Sequence, residues 1–289
     1  MNSRSKLNIA LLGLLLVLGL AIFNPFKEKQ QTPVTLATLG ITADNNDIII
    51  KSAEGRFGCN LQQQTAVIYR NKTVIRYPVE SDNCIQLYDI LQANLTPVNT
   101  TDLSQFQFEQ TDSTLIFGQH TLTPGMQHPL TRKQYIKVDQ RAWLIDTHYL
   151  SAMRKNSVDF IARQLIPANF KIRKITTPFY TLTFDGQKWR NINNNIDDAY
   201  AIGNKWKNLR AAGVSLAATV SQSSHAITIE ADSKTFSWAL IDLKVDQFTL
   251  QAKDSLLVFH FINDNLLPDS RLPDSQTGNP PKQSTSENP

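Results

Sequence analysis

The chain has 289 residues, 41% of them hydrophobic, with four Trp, seven Tyr and fourteen Phe, which excludes a disordered protein and supplies material for a sizeable core. Twenty-nine Lys and Arg against twenty-five Asp and Glu make it mildly basic, with a pI near 9.0. Its eleven glycines form no Gly-x-Gly-x-x-Gly or Walker-type run, so nucleotide binding has no sequence support and no cofactor is expected.

The N-terminus carries the most legible signal. Arg4 and Lys6 precede fifteen apolar or small residues, Ile9 to Phe23. With its flanks this stretch makes a membrane helix over residues 7–26, and twenty residues at about 1.5 Å each just cross a hydrocarbon core of roughly 30 Å. A cleaved signal peptide is the other reading, because Gly19, Leu20 and Ala21 fit a small-x-small cleavage site; Ile22, Phe23 and Phe26 then continue the apolar stretch beyond it. Lys and Arg counts do not decide orientation. The short flank of residues 1–6 resembles the start of an export signal and is placed in the cytoplasm. The expected location is thus the inner membrane, single-pass, with the body in the periplasm or extracytoplasmic space.

Residues 27–37 read as a polar stalk, followed by a first α+β unit over 38–166. Strand-like runs occupy 47–51, 66–69 and 73–77, the last two forming a hairpin around Asn71 and Lys72. Ile85, Tyr88 and Leu91 recur at helical spacing before Thr96 and Pro97. Cys59 and Cys84 are an even count, and an oxidising compartment favours their pairing. A loop of about 26 residues closed this way adds roughly 3–4 kcal/mol in the chain-entropy model. Two buried free thiols are the alternative. No His cluster lies nearby to complete a zinc set, and no metal site is expected.

Further along, strands are expected at 113–117, 135–138 and 143–145, with a Gly- and Pro-containing loop through Pro124 and Gly125. Asp146 or Thr147 can cap a short helix to Arg154, and a second helix over 157–166 carries Val158, Ile161 and Leu165 on one face. The second unit, 170–263, opens with 179–184, a tight turn at Asp185 and Gly186, and 187–190. Asn194 or Asn195 then caps a helix carrying Ile196, Tyr200, Trp206 and Leu209, before a meander of four strands. Strands, helix, strands thus occur twice. The expected fold is α+β: an N-terminal transmembrane helix, then two small units of antiparallel sheet with packed helices that look like repeats of one another. Residues 268–289 read as a disordered tail.

The stretches Leu115 to Gly118, Pro124 with Gly125, Gln134 to Val138, Trp143 to Asp146, Phe160 to Ile166 and Tyr180 to Arg190 resemble the domain of unknown function 4340 family of bacterial envelope proteins. The resemblance implies a membrane helix followed by repeated α+β units, with an accessory role beside a membrane transport assembly. It supplies no catalytic residues.

Candidate chemistry is sparse. His120 and His128 flank the Pro124 loop without a local third ligand, and Ser221 to His225 lacks the Gly-x-Ser-x-Gly elbow. Charge says more. Residues 131–190 hold twelve Lys or Arg against four Asp or Glu. Arg132, Lys133, Arg154, Lys155, Lys171, Arg173 and Lys174 are the candidate patch for anionic lipid headgroups, a polyanionic glycan or an acidic envelope partner, the alternative being ordinary solvated charge. Nucleic acid is not expected for an exported body. The leading expectation is a membrane-tethered, non-enzymatic interaction or accessory module. Its rival is an exported hydrolase or ligand-binding protein with a site assembled from His120, His148, Asp146 and Asp159.

Overall fold

A computed structural model describes residues 33–43, 47–70, 73–100, 102–192, 198–232 and 234–268. The expected cytoplasmic flank, the membrane segment 7–26, the turn at Asn71 and Lys72, the caps at Asn194 and Asn195 and all but the first residue of the tail lie outside them.

The first sheet holds β1 (Ile48–Ser52), β2 (Gly55–Asn60), β3 (Thr65–Arg70), β4 (Thr73–Pro78), β5 (Thr96–Pro97), β6 (Ser113–Phe117), β7 (His120–Gln127), β8 (Lys133–Val138) and β9 (Arg141–Asp146). Its order is β4-β3-β2-β1-β6-β7-β8-β9-β5, antiparallel throughout. The second holds β10 (Ile172–Thr176), β11 (Thr181–Phe184), β12 (Trp189–Asn191), β13 (Gly213–Leu216), β14 (Ala226–Ala231), β15 (Lys234–Leu243), β16 (Gln247–Ala252) and β17 (Leu257–Ile262), in the order β12-β11-β10-β14-β15-β16-β17-β13. One winding scheme builds both. A first meander runs outward to an edge, and a helix follows, α1 (Ser81–Asp89) or α2 (Ala199–Lys207). The chain then lays down the opposite edge strand, β5 or β13, and a second meander starts beside β1 or β10 and ends against that edge strand.

The α+β expectation is corrected: the molecule is mostly antiparallel sheet, 45% strand against 19% helix. Much of the helix is 3₁₀, including Thr147–Arg154 and Ser157–Phe160. Among the described residues no helix is long and apolar enough to cross a membrane. The expected helix over 157–166 fails for a definite reason. Asn156 and Asp159 form a capping box and the Ile161 N–H closes the turn on Val158, but from Ala162 the backbone N–H groups find partners in other segments, Ala162 on Pro78 and Leu165 on Leu209; Ile161 bridges Val79, and Gln164 bridges Arg210. Those tertiary partners override a helical spacing of apolar residues. The loop expected through Pro124 and Gly125 is strand β7, bulged between Pro124 and Gln127 so that the proline's missing N–H interrupts the ladder where it is already irregular. Val34 and Leu36, read as stalk, belong to the body: Val34 pairs with Leu95, and Leu36 is fully buried.

Cys59 on β2 and Cys84 on α1 are disulfide-bonded and buried, fastening the first helix to its sheet. The second helix has a polar and aromatic fastening. The Trp206 indole N–H donates to the Tyr180 hydroxyl (2.8 Å), which donates to the Leu266 carbonyl (2.6 Å). Gly203 faces Trp189 so closely that a Cβ would overlap the indole. Asp198 caps α2 through the Ala201 N–H. At the β11–β12 turn, Gly186 has φ +97° and the Asp185 carboxylate accepts from the Gln187 and Lys188 N–H groups and from Arg190, which hold its pKa well below the usual range. Apolar side chains from both sheets form one continuous core. Across it, Tyr77 of β4 packs on Phe259 of β17 (5.3 Å between ring centroids) and shares a hydrogen bond with Trp238 of β15.

Two outcomes are expected. Replacing Cys59 and Cys84 by Ser lowers the unfolding free energy by roughly 3–4 kcal/mol; urea denaturation of the variant and of the native chain in reductant should show the same shift. Burial pushes the Tyr77 hydroxyl up to about 12, opposed only in part by the Trp238 hydrogen bond. The unfolded chain gives up this proton near its ordinary value of 10.0, so the contribution is intact below that pH and is lost as pH rises towards 12. Burial raises Tyr180 in the same direction. Tyr77→Phe should flatten part of the alkaline fall in the urea midpoint, while costing about 1–3 kcal/mol at neutral pH because the Trp238 N–H loses its acceptor.

Candidate binding groove

Two hollows of about 560 and 510 Å³ meet at Glu54 and Asn156, which line both. Each is within the size range of ligand sites. Segments distant in sequence build them, two of them common to both hollows. The β1–β2 turn brings Glu54, and Gly55 there has φ +126°, a conformation other residues rarely adopt. The segment after β9 brings Leu150, Met153, Arg154, Lys155 and Asn156. The third wall differs between the hollows. In the larger it is residues 107–113 with Pro124, Gly125, Met126 and Gln134; in the smaller it is β2 and β3 with Val214, Ser215 and Leu216 of the second sheet.

Local contacts make these walls firm. A Cβ at Gly125 would overlap the Phe106 carbonyl and the Phe108 ring, so glycine lets that segment close over β7. Phe106 stacks on Tyr135 at 4.2 Å, and Gln134 donates to the Gly125 carbonyl at 2.8 Å. The Ser157 N–H donates to the Glu54 carboxylate (3.1 Å), joining the β1–β2 turn to the segment after β9.

The groove is cationic. Arg154 and Lys155 line the larger hollow, and Arg56 and Arg70 the smaller. The Arg56 guanidinium lies over the Tyr69 ring at 4.9 Å, and Arg70 donates to the Ala217 carbonyl at 3.2 Å. Among the described residues none of the four is in an ion pair, which they share with many other Lys and Arg side chains; what sets them apart is that they line adjoining hollows. Against these four cations the lining offers two carboxylates, Glu54 and Asp112. Ser, Thr, Gln and Asn supply the remaining polar lining, over a floor that includes Leu150 and Met153.

The seven basic residues of the expected patch are distributed over three places. Arg154 and Lys155 line the groove. Arg132 and Lys133 sit at the β7–β8 hairpin tip, with the Lys133 ammonium donating to the Thr96 hydroxyl at 3.0 Å. Lys171, Arg173 and Lys174 belong to the second sheet, where Asp232 accepts from the Lys171 N–H and lies 3.7 Å from Arg173, and Glu230 pairs with Lys174 at 2.9 Å. The sequence excess of positive charge is therefore partly cancelled by acids that arrive sixty residues later.

The residues considered for an assembled catalytic site do not converge. His120 bonds Asp139 (2.9 Å) at one end of the first sheet, and His148 bonds its near neighbour Asp146 (2.7 Å) at the other. By strand register, with Val138 opposite Arg141 and Lys133 opposite Asp146, those ends lie about 17 Å apart. Asp159 is used in the capping box. His128 lies at the far end of β7 from His120, and among the described residues no three metal-ligating side chains gather. One arrangement escaped the sequence reading: Ser215 Oγ lies 2.9 Å from His260 Nε2, with the Thr249 hydroxyl 3.4 Å from His260 Nδ1. The three lie on the adjacent strands β13, β17 and β16, so they meet as cross-strand neighbours. Arg56, Arg70 and Glu54 were also missed, because nothing in their own segments announces a groove.

No family model, curated protein or solved structure matches the chain.

Proposed function

We propose that this protein is a non-enzymatic envelope module, tethered on the extracytoplasmic side by its apolar N-terminal stretch, that binds an extended anionic partner along the groove. The observation that carries the reading is the set of four cations, Arg56, Arg70, Arg154 and Lys155, facing one groove without carboxylate partners. A recess in low-dielectric protein focuses such a field and attracts polyanions. The amide and hydroxyl lining adds donors and acceptors for a sugar or peptide backbone, and two hollows that share Glu54 and Asn156 offer successive subsites to a chain. The disulfide between Cys59 and Cys84 supports an oxidising compartment.

Dextran sulfate is a suitable probe, with neutral dextran as control. Calorimetry on the full chain should show binding of the sulfated polymer alone, weakening steeply with salt. Reversing two groove charges with Arg154→Glu and Lys155→Glu should weaken it by about tenfold or more, on the scale of 1.4 kcal/mol per decade. Unchanged affinity in that variant, with an unchanged denaturation profile, would remove the groove from the reading.

A further inference from the structure

The hairpin joining β7 to β8 is held unusually firmly for a surface tip. The His128 N–H closes it on the Lys133 carbonyl (2.9 Å), and the Leu130 N–H donates to His128 Nδ1 (3.2 Å). The Lys133 N–H donates to the Thr131 hydroxyl (3.3 Å). The Arg132 carbonyl accepts from both the N–H and the hydroxyl of Thr147, each at 3.1 Å. The His128 ring leans on Tyr135, 5.6 Å between centroids. This fixed backbone presents Leu130, which at 88% exposure is the most exposed large apolar side chain among the described residues. Arg132 and Lys133 flank it. Asp146, opposite Lys133 in the strand register, bonds His148 and lies within electrostatic reach of Lys133, so it offsets part of the tip's charge.

The chain's entry point lies beside this tip. Val34 accepts the Leu95 N–H (2.7 Å), and the next residue, Thr96, receives the Lys133 ammonium. Only residues 27–33 separate Val34 from Phe26 at the end of the apolar stretch, a connection that spans at most about 27 Å. We propose that this hairpin tip is the seat of the body on an anionic bilayer, Leu130 entering the boundary between headgroups and acyl chains while Arg132 and Lys133 contact lipid phosphates. The proposal rests on the tether reading above for its placement. It adds an orientation: the end of the first sheet that carries the tip faces the lipid, and the opposite end, with His120 and Asp139, faces away.

The test uses the full chain carrying Leu130→Cys, labelled with an environment-sensitive fluorophore; Cys59 and Cys84 are bonded, so the new thiol is the one labelled. Gln140→Cys, exposed on the β8–β9 turn at the opposite end, is the comparator. The chains are incorporated into vesicles of phosphatidylcholine with phosphatidylglycerol, or of phosphatidylcholine alone. The expected result is a blue shift at position 130 and none at 140, larger with phosphatidylglycerol, with that lipid preference lost in Arg132→Glu with Lys133→Glu. Vesicle-bound chain whose two positions report the same aqueous environment overturns the seat and leaves the tether standing. Failure to associate with vesicles at all overturns both.

Discussion

An antiparallel sheet that ends in an unpaired strand leaves a row of N–H and C=O groups wanting partners. Where the two sheets of this protein approach each other, residues 160–165 meet that requirement on both sides. The Phe160 carbonyl accepts from Glu80 and the Ala162 N–H donates to Pro78, at the end of β4; the Leu165 N–H donates to Leu209 and the Arg163 carbonyl accepts from Ala211, just before β13. Arg210 pairs with Glu80 at 3.0 Å over the same junction. The connecting segment is thus the shared border of two sheets, and Tyr77, Trp238 and Phe259 fill the space that the border encloses. A freely moving linker would leave those aromatics half exposed and the backbone groups of both edges in water.

The common winding scheme makes the contrast between the two fasteners informative. Each unit has to hold a helix of nine residues, too short to persist alone, against its sheet. The first does so covalently. The second uses the Trp206, Tyr180 and Leu266 relay, with Trp189 seated on Gly203. Beside the relay, the Asn263 side chain donates to the Leu267 carbonyl and accepts from the Leu266 and Leu267 N–H groups, so Leu266 and Leu267 are core residues although they adjoin the polar C-terminal stretch. The two sheets thus share one winding order and are fastened by unrelated chemistry.

The groove is a consequence of the border. Pinning β13 close to the segment after β9 places Val214 to Leu216 opposite Arg56 and Arg70, and the bond from Ser157 to Glu54 fixes the β1–β2 turn against the same segment. Its positive field comes from residues of β2, β3 and the 3₁₀ region together. The hairpin tip at Leu130 belongs to the same end of the first sheet, since Lys133 and Asp146 close β8 and β9 there, so a lipid seat and a cationic groove share one end of the molecule in the proposed arrangement.

By itself the sequence determined what is local. The Asp185 and Gly186 turn announces its hairpin because the carboxylate and the glycine both serve the turn's own backbone, and two cysteines in a chain with an export-like start point to a bond. It also showed that strands and a helix follow one another twice. Tertiary structure decided the rest, because the deciding partners are remote. Helical spacing over 157–166 is real, yet the backbone there answers β4 and the approach to β13. Pro124 and Gly125 look like a loop until β8 and Phe108 are present to make them a bulged strand. Charge counts along the chain mark Lys171, Arg173 and Lys174 as a basic surface, and Glu230 and Asp232, paired with them only through the β10–β14 ladder, partly neutralise it. Local energies write themselves into neighbouring residues; a groove made of many separated segments has no short-range interaction that could do so.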